Sequence, residues 1–337
     1  MTETQHRVLS YIWKKGRTLR KEISRDLRID LSTVTRTLKP LMDVGMVEVV
    51  GTVSSGSAGR RSEVISVNEN WKRFLGISLQ HGGITALLLN MVGEVLDEYV
   101  ERVEINFENV FEILRKPIER FEDADVVSIG IPGLVRDGVV EYSAALGIEN
   151  LDLRSWVEKN FAKKAFVVND ANAAAANFSD GVDNMVCFLI SVPYDLEEEV
   201  GLGAGLWIDG SLYTGSRGFA GETGPGFKMG CSGTIEDLIA GEVKPSRDFE
   251  EKLAERMGIL SLFLDPQMIV LSGDINIFPQ ESVSRMIEIL KDIAGRYVNV
   301  NVDRDGERSV ARGAFKALLS EMLSDPRTME SYLEVVR

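Results

Sequence analysis

The apolar pattern of this chain changes its period once, near Trp71, and that change constrains the architecture more than any other feature. Before it, apolar residues recur at helical spacing and then run through a hairpin. After it, short apolar runs end in glycine, asparagine or aspartate and lead into helices. Two kinds of folding unit follow, and 337 residues are too many for one ordinary domain.

The first unit reads as three helices and a hairpin. Val8, Leu9, Ile12 and Trp13 form one apolar stripe, and Lys14-Lys15-Gly16-Arg17 closes that helix. Leu19, Ile23 and Leu27 define a short second helix. After the turn Arg28-Ile29-Asp30, either Ser32 or Asp30 caps a third helix whose buried side is Val34, Leu38, Leu41 and Met42. That phase turns Thr33, Arg36 and Thr37 outward with Lys39 nearby, and Pro40 is expected to kink the last turns. Two helices on a short turn, the second showing hydroxyls and a guanidinium, fit a recognition helix for the major groove. Arg36 suits a guanine edge, and Thr33 and Thr37 suit phosphate or a thymine methyl. Met46–Val50 and Val64–Val67 read as hairpin strands, with a Ser/Gly-rich tip followed by Arg60 and Arg61. Such a basic loop reads as a wing that grips backbone or minor groove. The alternative is a small helical module for protein contacts.

Charge supports the DNA reading. The chain carries a formal charge of −14, yet residues 1–66 hold 12 Lys/Arg against 7 Asp/Glu. The acidic remainder repels phosphate, whereas the basic end is drawn to it. No apolar run approaches a membrane span, and Met1–His6 has no signal-peptide character. Two distant cysteines, Cys187 and Cys231, suit a reducing compartment, so a cytoplasmic protein without membrane partners is expected.

From residue 71 onward strands and helices alternate. Phe74–Ser78, Ile84–Leu89, Val95–Val103, Val126–Ile131 and Ala165–Val168 read as strands, the last ending in Asn169-Asp170-Ala171-Asn172. A second half repeats the theme with Met185–Val192, a Gly-rich turn and strand at Leu202–Gly210, and Met268–Asp274. Polar residues at strand ends place a site there in an α/β fold. Glycines such as Gly203 and Gly205 let backbone amides approach an anion, though many such glycines are purely structural.

These motifs carry a resemblance. Gly130-Ile131-Pro132-Gly133, Asn169-Asp170-Ala171-Asn172, the Gly-rich segment and Gly218-Phe219-Ala220-Gly221-Glu222-Thr223-Gly224, behind the basic helices, resemble the ROK family of sugar-responsive repressors and sugar kinases. The resemblance spans nearly the whole chain. It implies a winged helix-turn-helix at 1–70, followed by a two-lobed actin-like (ribonuclease H-like) α/β sugar-kinase fold. Lobe 1 covers 71–177, lobe 2 covers 178–306, and a C-terminal helix of about 307–337 packs back on lobe 1. It also implies that Asn169, Asp170, Glu222 and Glu236 contact a sugar, with Asp170 the general base in any active kinase. A helix cap is the competing role for Asn169-Asp170.

The departures point away from phosphoryl transfer. The aspartate that opens the family's phosphate loop is Ser78, leaving no carboxylate to organise magnesium. Asp195 and Glu197–Glu199 add negative charge ahead of the second loop, of which Gly203 and Gly205 survive. The family's zinc-site histidine is Pro225, and its cysteine cluster is reduced to Cys231, so no zinc or other metal is expected. The resulting expectation is a sugar-responsive DNA-binding regulator, a repressor of carbohydrate-metabolism genes. It would use operator DNA and a small sugar as partners, act as a homodimer or tetramer, and need no cofactor. The alternative is an ATP-dependent kinase of glucokinase or N-acetylglucosamine kinase type with an appended DNA-binding domain. A bare scaffold that has lost both ligands is the third reading.

Overall fold

The computed structural model describes residues 1–54 and 61–333. The first unit consists of α1 (Glu3–Lys15), β1 (Thr18–Leu19), α2 (Arg20–Leu27), α3 (Leu31–Asp43), β2 (Val47–Val53) and β3 (Ser62–Val67). Local chemistry sets its boundaries. The Thr2 hydroxyl and Gln5 amide form a reciprocal cap at the start of α1. Arg28 takes a left-handed conformation at the end of α2, and Asp30 caps α3. Pro40 does not end α3, which runs on to Asp43. The short strand β1 was not expected from the sequence; it pairs with β3, making a three-stranded sheet in the order β1-β3-β2.

Lobe 1 opens with the meander β4 (Phe74–Gln80), β5 (Gly83–Leu89) and β6 (Val95–Arg102). Helix α4 (Val110–Arg120) leads to β7 (Val126–Ile131); a small sheet of β8 (Leu134–Arg136), β9 (Val139–Ser143) and β10 (Ile148–Asp152) follows. Then α5 (Leu153–Phe161) leads to β11 (Lys164–Asn169) and α6 (Asp170–Asn177). The main sheet has the order β11-β7-β4-β5-β6, antiparallel in the meander and parallel where the helices cross over.

Lobe 2 repeats this plan. Its meander is β12 (Met185–Ser191), β13 (Glu199–Ile208) and β14 (Ser211–Tyr213), with β15 (Phe227–Lys228) added beside β13. Helices α7 (Ile235–Ala240) and α8 (Arg247–Leu262) precede β16 (Met268–Gly273); α9 (Gln280–Ala294) precedes β17 (Asn299–Val302). The order is β14-β13-β12-β16-β17. Finally α10 (Glu307–Ser324) and α11 (Pro326–Leu333) close the described chain.

The helix that follows each sheet packs on the other lobe. Helix α6 lies on β12 and β13, and α10 lies on β4, β5 and β7. The two helices cross at a point stripped of side chains: a Cβ on Gly313 would lie 1.8 Å from the Ala173 carbonyl oxygen. Glycine is required there by close approach rather than by backbone conformation.

Three apolar clusters fill the molecule. One covers the outer face of the lobe 1 sheet and one that of the lobe 2 sheet. The third runs without a break from Val8, Leu9 and Ile12 of α1, through Phe315, Leu318 and Met322 of α10 and the alanines of α6, to Met185 and Val270 of lobe 2. The first unit is thus welded to the body. The His6 ring nitrogen Nε2 lies 2.9 Å from the Met322 carbonyl oxygen, in a buried contact. The Ser10 hydroxyl donates to Leu323 O at 3.5 Å, and the Trp71 indole N–H donates to Val44 O at 2.7 Å.

Candidate functional site

Two regions carry chemistry. The first is the outward face of α3. Asp30 accepts from the Thr33 N–H at 2.9 Å and from the Thr33 hydroxyl at 2.6 Å. These bonds, with that of Ser32, hold its carboxyl well below the usual carboxylate range. Thr33 is therefore half-buried and committed to the cap. Arg36 and Lys39 are exposed, as expected, and Ser32 and Thr35 share their face. Thr37 is a correction: it is buried at 7 % exposure beside Val34, Leu38 and Leu41, so it cannot present its hydroxyl to a groove. Helical spacing already puts it there, three residues after Val34 and four before Leu41, and its hydroxyl disguised a buried position. Arg61 is exposed at the base of the wing; Arg60 lies outside the described residues.

The second region is the start of α6, at the C-terminal end of β11. Asn169 ends β11 and caps α6: its Oδ1 accepts from the Asn172 N–H at 3.1 Å, and its Nδ2 donates to Gly133 O at 2.9 Å. The helix-cap role is thus real for Asn169, and it fixes the loop after β7 to the loop after β11. Asp170 is 5 % exposed. Its Oδ1 accepts from the Ala171 N–H at 2.9 Å, and its Oδ2 from the Gln80 amide at 3.2 Å. Burial raises the carboxyl to about 6, with the nearby Glu222 charge adding to the rise and the Gln80 bond opposing it.

Glu222 reaches this neighbourhood because its segment is laid on β13. Glu222 pairs with Gly203, the Ala204 N–H donates to Gly221 O at 2.9 Å, and the Thr223 hydroxyl donates to Leu202 O at 2.6 Å. Its side chain is exposed and makes no hydrogen bond or ion pair among the described residues. Glu236 is exposed on the first turn of α7, and among the described residues it has no polar partner and no contact with Asp170.

The glycine-rich turn expected at 202–205 does not exist. Gly203 and Gly205 sit inside β13, opposite Leu189 and Cys187. Their bareness serves packing: a Cβ on Gly205 would lie 2.1 Å from Ala171 O, and one on Gly203 would lie 3.3 Å from the Ala171 Cβ. They let α6 settle on the lobe 2 sheet and so place Asp170. Gln80 is the functional candidate that sequence reasoning missed; its only signal was a side chain where a phosphate loop has glycine.

Residues 75–228 match the ROK family, and residues 1–48 match the winged helix-turn-helix DNA-binding family. The chain carries a ROK domain behind a winged helix-turn-helix. It is 26% identical to the xylose repressor of Caldicellulosiruptor bescii, over 91% of this chain and 93% of the relative. The crystal structure of a ROK family transcriptional regulator, a homologue of the E. coli Mlc protein, matches with TM-score 0.73 at 24% identity over 98% of both chains. A ROK glucokinase from Streptomyces griseus, in complex with glucose and AMPPNP, matches with TM-score 0.58 at 19% identity over 74% of this chain and 99% of that one. These likenesses establish the fold as two-lobed and kinase-like with an added DNA-binding unit.

Against this ROK frame, the family's zinc does not fit the donors. Residues 225–234 offer one thiol, Cys231, and no imidazole, whereas a structural zinc takes four ligands. Among the described residues no group of three or more His, Cys, Asp or Glu side chains could hold a metal. The segment is held by other means. Arg256 donates to Pro225 O and stacks its guanidinium 3.7 Å from the Phe227 ring centre, and Met229 is fully buried in the lobe 2 core. The acidic stretch is tied to the same segment, with the Leu196 N–H donating to Gly233 O and the Ile235 N–H to Tyr194 O, each at 3.0 Å. On the nucleotide side Ser78 is fully buried, and its hydroxyl has no hydrogen-bond partner. A neutral hydroxyl in place of a carboxylate does not fit a magnesium ion.

Proposed function

We propose that this chain is a sugar-responsive DNA-binding repressor that does not turn over ATP, with xylose as the first effector to test. One observation carries the reading. The α1 helix of the winged helix is fixed by His6 to the end of α10, and α10 crosses α6, whose first residue is Asp170. The DNA-reading unit and the sugar-facing carboxylate are therefore two ends of one packed assembly. The likeness to a xylose repressor over nearly the whole chain supports the same reading.

A sugar in the cleft would favour one angle between the lobes, and operator DNA another. Each ligand then weakens the other through the difference in its affinity for the two states. Recognition would rest on Arg36 and Lys39 of α3, with Ser32 and Thr35 on the same exposed face, and on Arg61 at the wing. A homodimer or tetramer would set the spacing of half-sites. The kinase reading rests on Asp170, the general base that the family resemblance implies; Ser78 opposes it.

The deciding experiment is a gel shift with the chain's own promoter DNA, with and without D-xylose. We expect a salt-sensitive specific shift that xylose relieves, and a loss of about 1–3 kcal/mol for Arg36→Ala. A shift indifferent to xylose, glucose and N-acetylglucosamine would remove the sensor reading. ADP release with any of these sugars, abolished in Asp170→Asn, would replace it with the kinase.

A further inference from the structure

The turn between β4 and β5 delivers one side chain to Asp170. Gln80 is the last residue of β4, paired with Gly83 across the turn. The strand behind it is immovable, since Ile77, Ser78 and Leu79 are fully buried. The far side is equally fixed: Gly83 has φ +154°, and a Cβ there would lie 2.4 Å from Glu101 O on β6. Gln80 itself is half-buried and extends from this fixed point, its Nε2 3.2 Å from Asp170 Oδ2.

The rest of the Asp170 environment offers little else to hold a carboxylate. Its other donors are backbone N–H groups, that of Ala171 at 2.9 Å to Oδ1 and its own. The strand β13 presents Gly203 and Gly205, and α10 meets α6 through Gly313. Titratable neighbours are Glu222, a like charge, and the buried Cys187 thiol on β12. Of the side chains around Asp170, Gln80 is the one that donates a hydrogen bond to it.

We infer that Gln80 is the positioning residue of the sugar site. Its amide fixes the orientation of the Asp170 carboxylate and leaves the remaining lone pairs for two hydroxyls of an uncharged sugar. A carboxylate has about four acceptor positions, and Gln80 takes one on Oδ2 while Oδ1 faces backbone N–H groups. This inference rests on the sugar-sensor reading above. It also explains why the position carries a side chain. A phosphate loop needs bare backbone at this turn, whereas a sensor gains from a fixed acceptor.

Loss of the amide has a directional consequence. Burial and Glu222 both favour protonation of Asp170, and Gln80 opposes them. Removing it raises the carboxyl further, so sugar binding should fail at a higher pH than in the parent chain. A side chain that merely filled space would leave that profile unmoved.

The test uses the full chain, with D-xylose titrated by calorimetry between pH 5 and 8 in the parent, Gln80→Leu and Gln80→Glu. We expect xylose affinity in the parent to fall as pH drops through about 6. At neutral pH Gln80→Leu should bind about ten-fold more weakly, and in both variants the pH midpoint should move upward. Parental affinity and an unmoved midpoint in both variants would overturn the inference. A second readout is independent of the ligand: the Asp170 carboxyl titration followed by carbon NMR. If the parent binds no sugar of a hexose and pentose panel, the sensor reading fails. If in addition the Asp170 titration is the same in the parent and Gln80→Leu, the role of Gln80 fails separately.

Discussion

The two ends of α10 are joined to the rest of the molecule by different physics. At the C-terminal end, Met322 and the α11 residues Met329 and Leu333 are fully buried in the cluster that also contains Val8, Leu9 and Ile12. At the N-terminal end the contacts are polar. Glu307 accepts from Thr85 at 2.7 Å and from Arg102 at 2.5 Å, and Arg308 makes two bonds to Glu98. Behind them Asp303 is buried, accepting from the hydroxyls of Ser272 at 2.6 Å and Ser309 at 2.8 Å. An apolar weld is non-directional but costly to open, because opening exposes its whole area to water. Exposed ion pairs are worth little and are screened by salt. The comparison teaches that the winged helix and the C-terminal part of α10 are held as one unit, and that the weaker join is the polar one at the N-terminal end of α10.

The strongest way to break this comparison is Met322→Ala. Truncation of a buried methionine costs about 2–5 kcal/mol. We expect one cooperative denaturant transition at lower midpoint; two separate transitions would show that the winged helix and the C-terminal part of α10 are not one unit.

Next in size is Asp170→Asn. The carboxyl is raised from 3.8 to about 6 by burial, so the native state holds its proton more tightly than the unfolded chain does. Its stabilising contribution is complete below about pH 4 and is lost as pH rises through about 6. Asp274, raised to about 6 by burial at the end of β16, acts in the same sense. Removing the charge should therefore stabilise the free protein by about 3 kcal/mol at neutral pH, read as a higher midpoint at pH 7 but not at pH 4. A lower midpoint at pH 7 would mean that Asp170 is needed for folding and not only for ligand.

The smallest expected effect is that of Glu98→Gln. Arg308 is 55 % exposed, and loss of this pair should cost less than about 1 kcal/mol, vanishing at high salt. A larger, salt-independent loss would make the polar end as rigid as the weld.

Much of this was legible in the sequence. The winged helix announced itself through the stripe Val8-Leu9-Ile12, the Asp30 cap and the alternation of Val64–Val67, all local signals. The two sheets announced themselves through apolar runs that end in Asn169-Asp170 and Ser272-Gly273. What was not legible depended on distant partners. Thr37 is the exception: its spacing from Val34 and Leu41 is local, and only its polar type hid its place on the buried face. Gly203 and Gly205 looked like a turn but clear space for α6, a helix some thirty residues earlier in the chain. The contact of His6 with Met322 joins residues 316 positions apart, and no local pattern encodes it.

The bare crossing of α6 and α10 at Gly313 has a mechanical consequence. A helix rises 1.5 Å per residue, so the arm from Gly313 to Glu307 is about 9 Å and the arm to Met322 about 14 Å. The helix is seated along both arms by the buried Val310, Ala311, Phe315, Leu318 and Met322, so the crossing fixes how far the first unit stands from the start of α6. A methyl group at this one position would force the two helices apart and so move α3 relative to Asp170 without altering either of them.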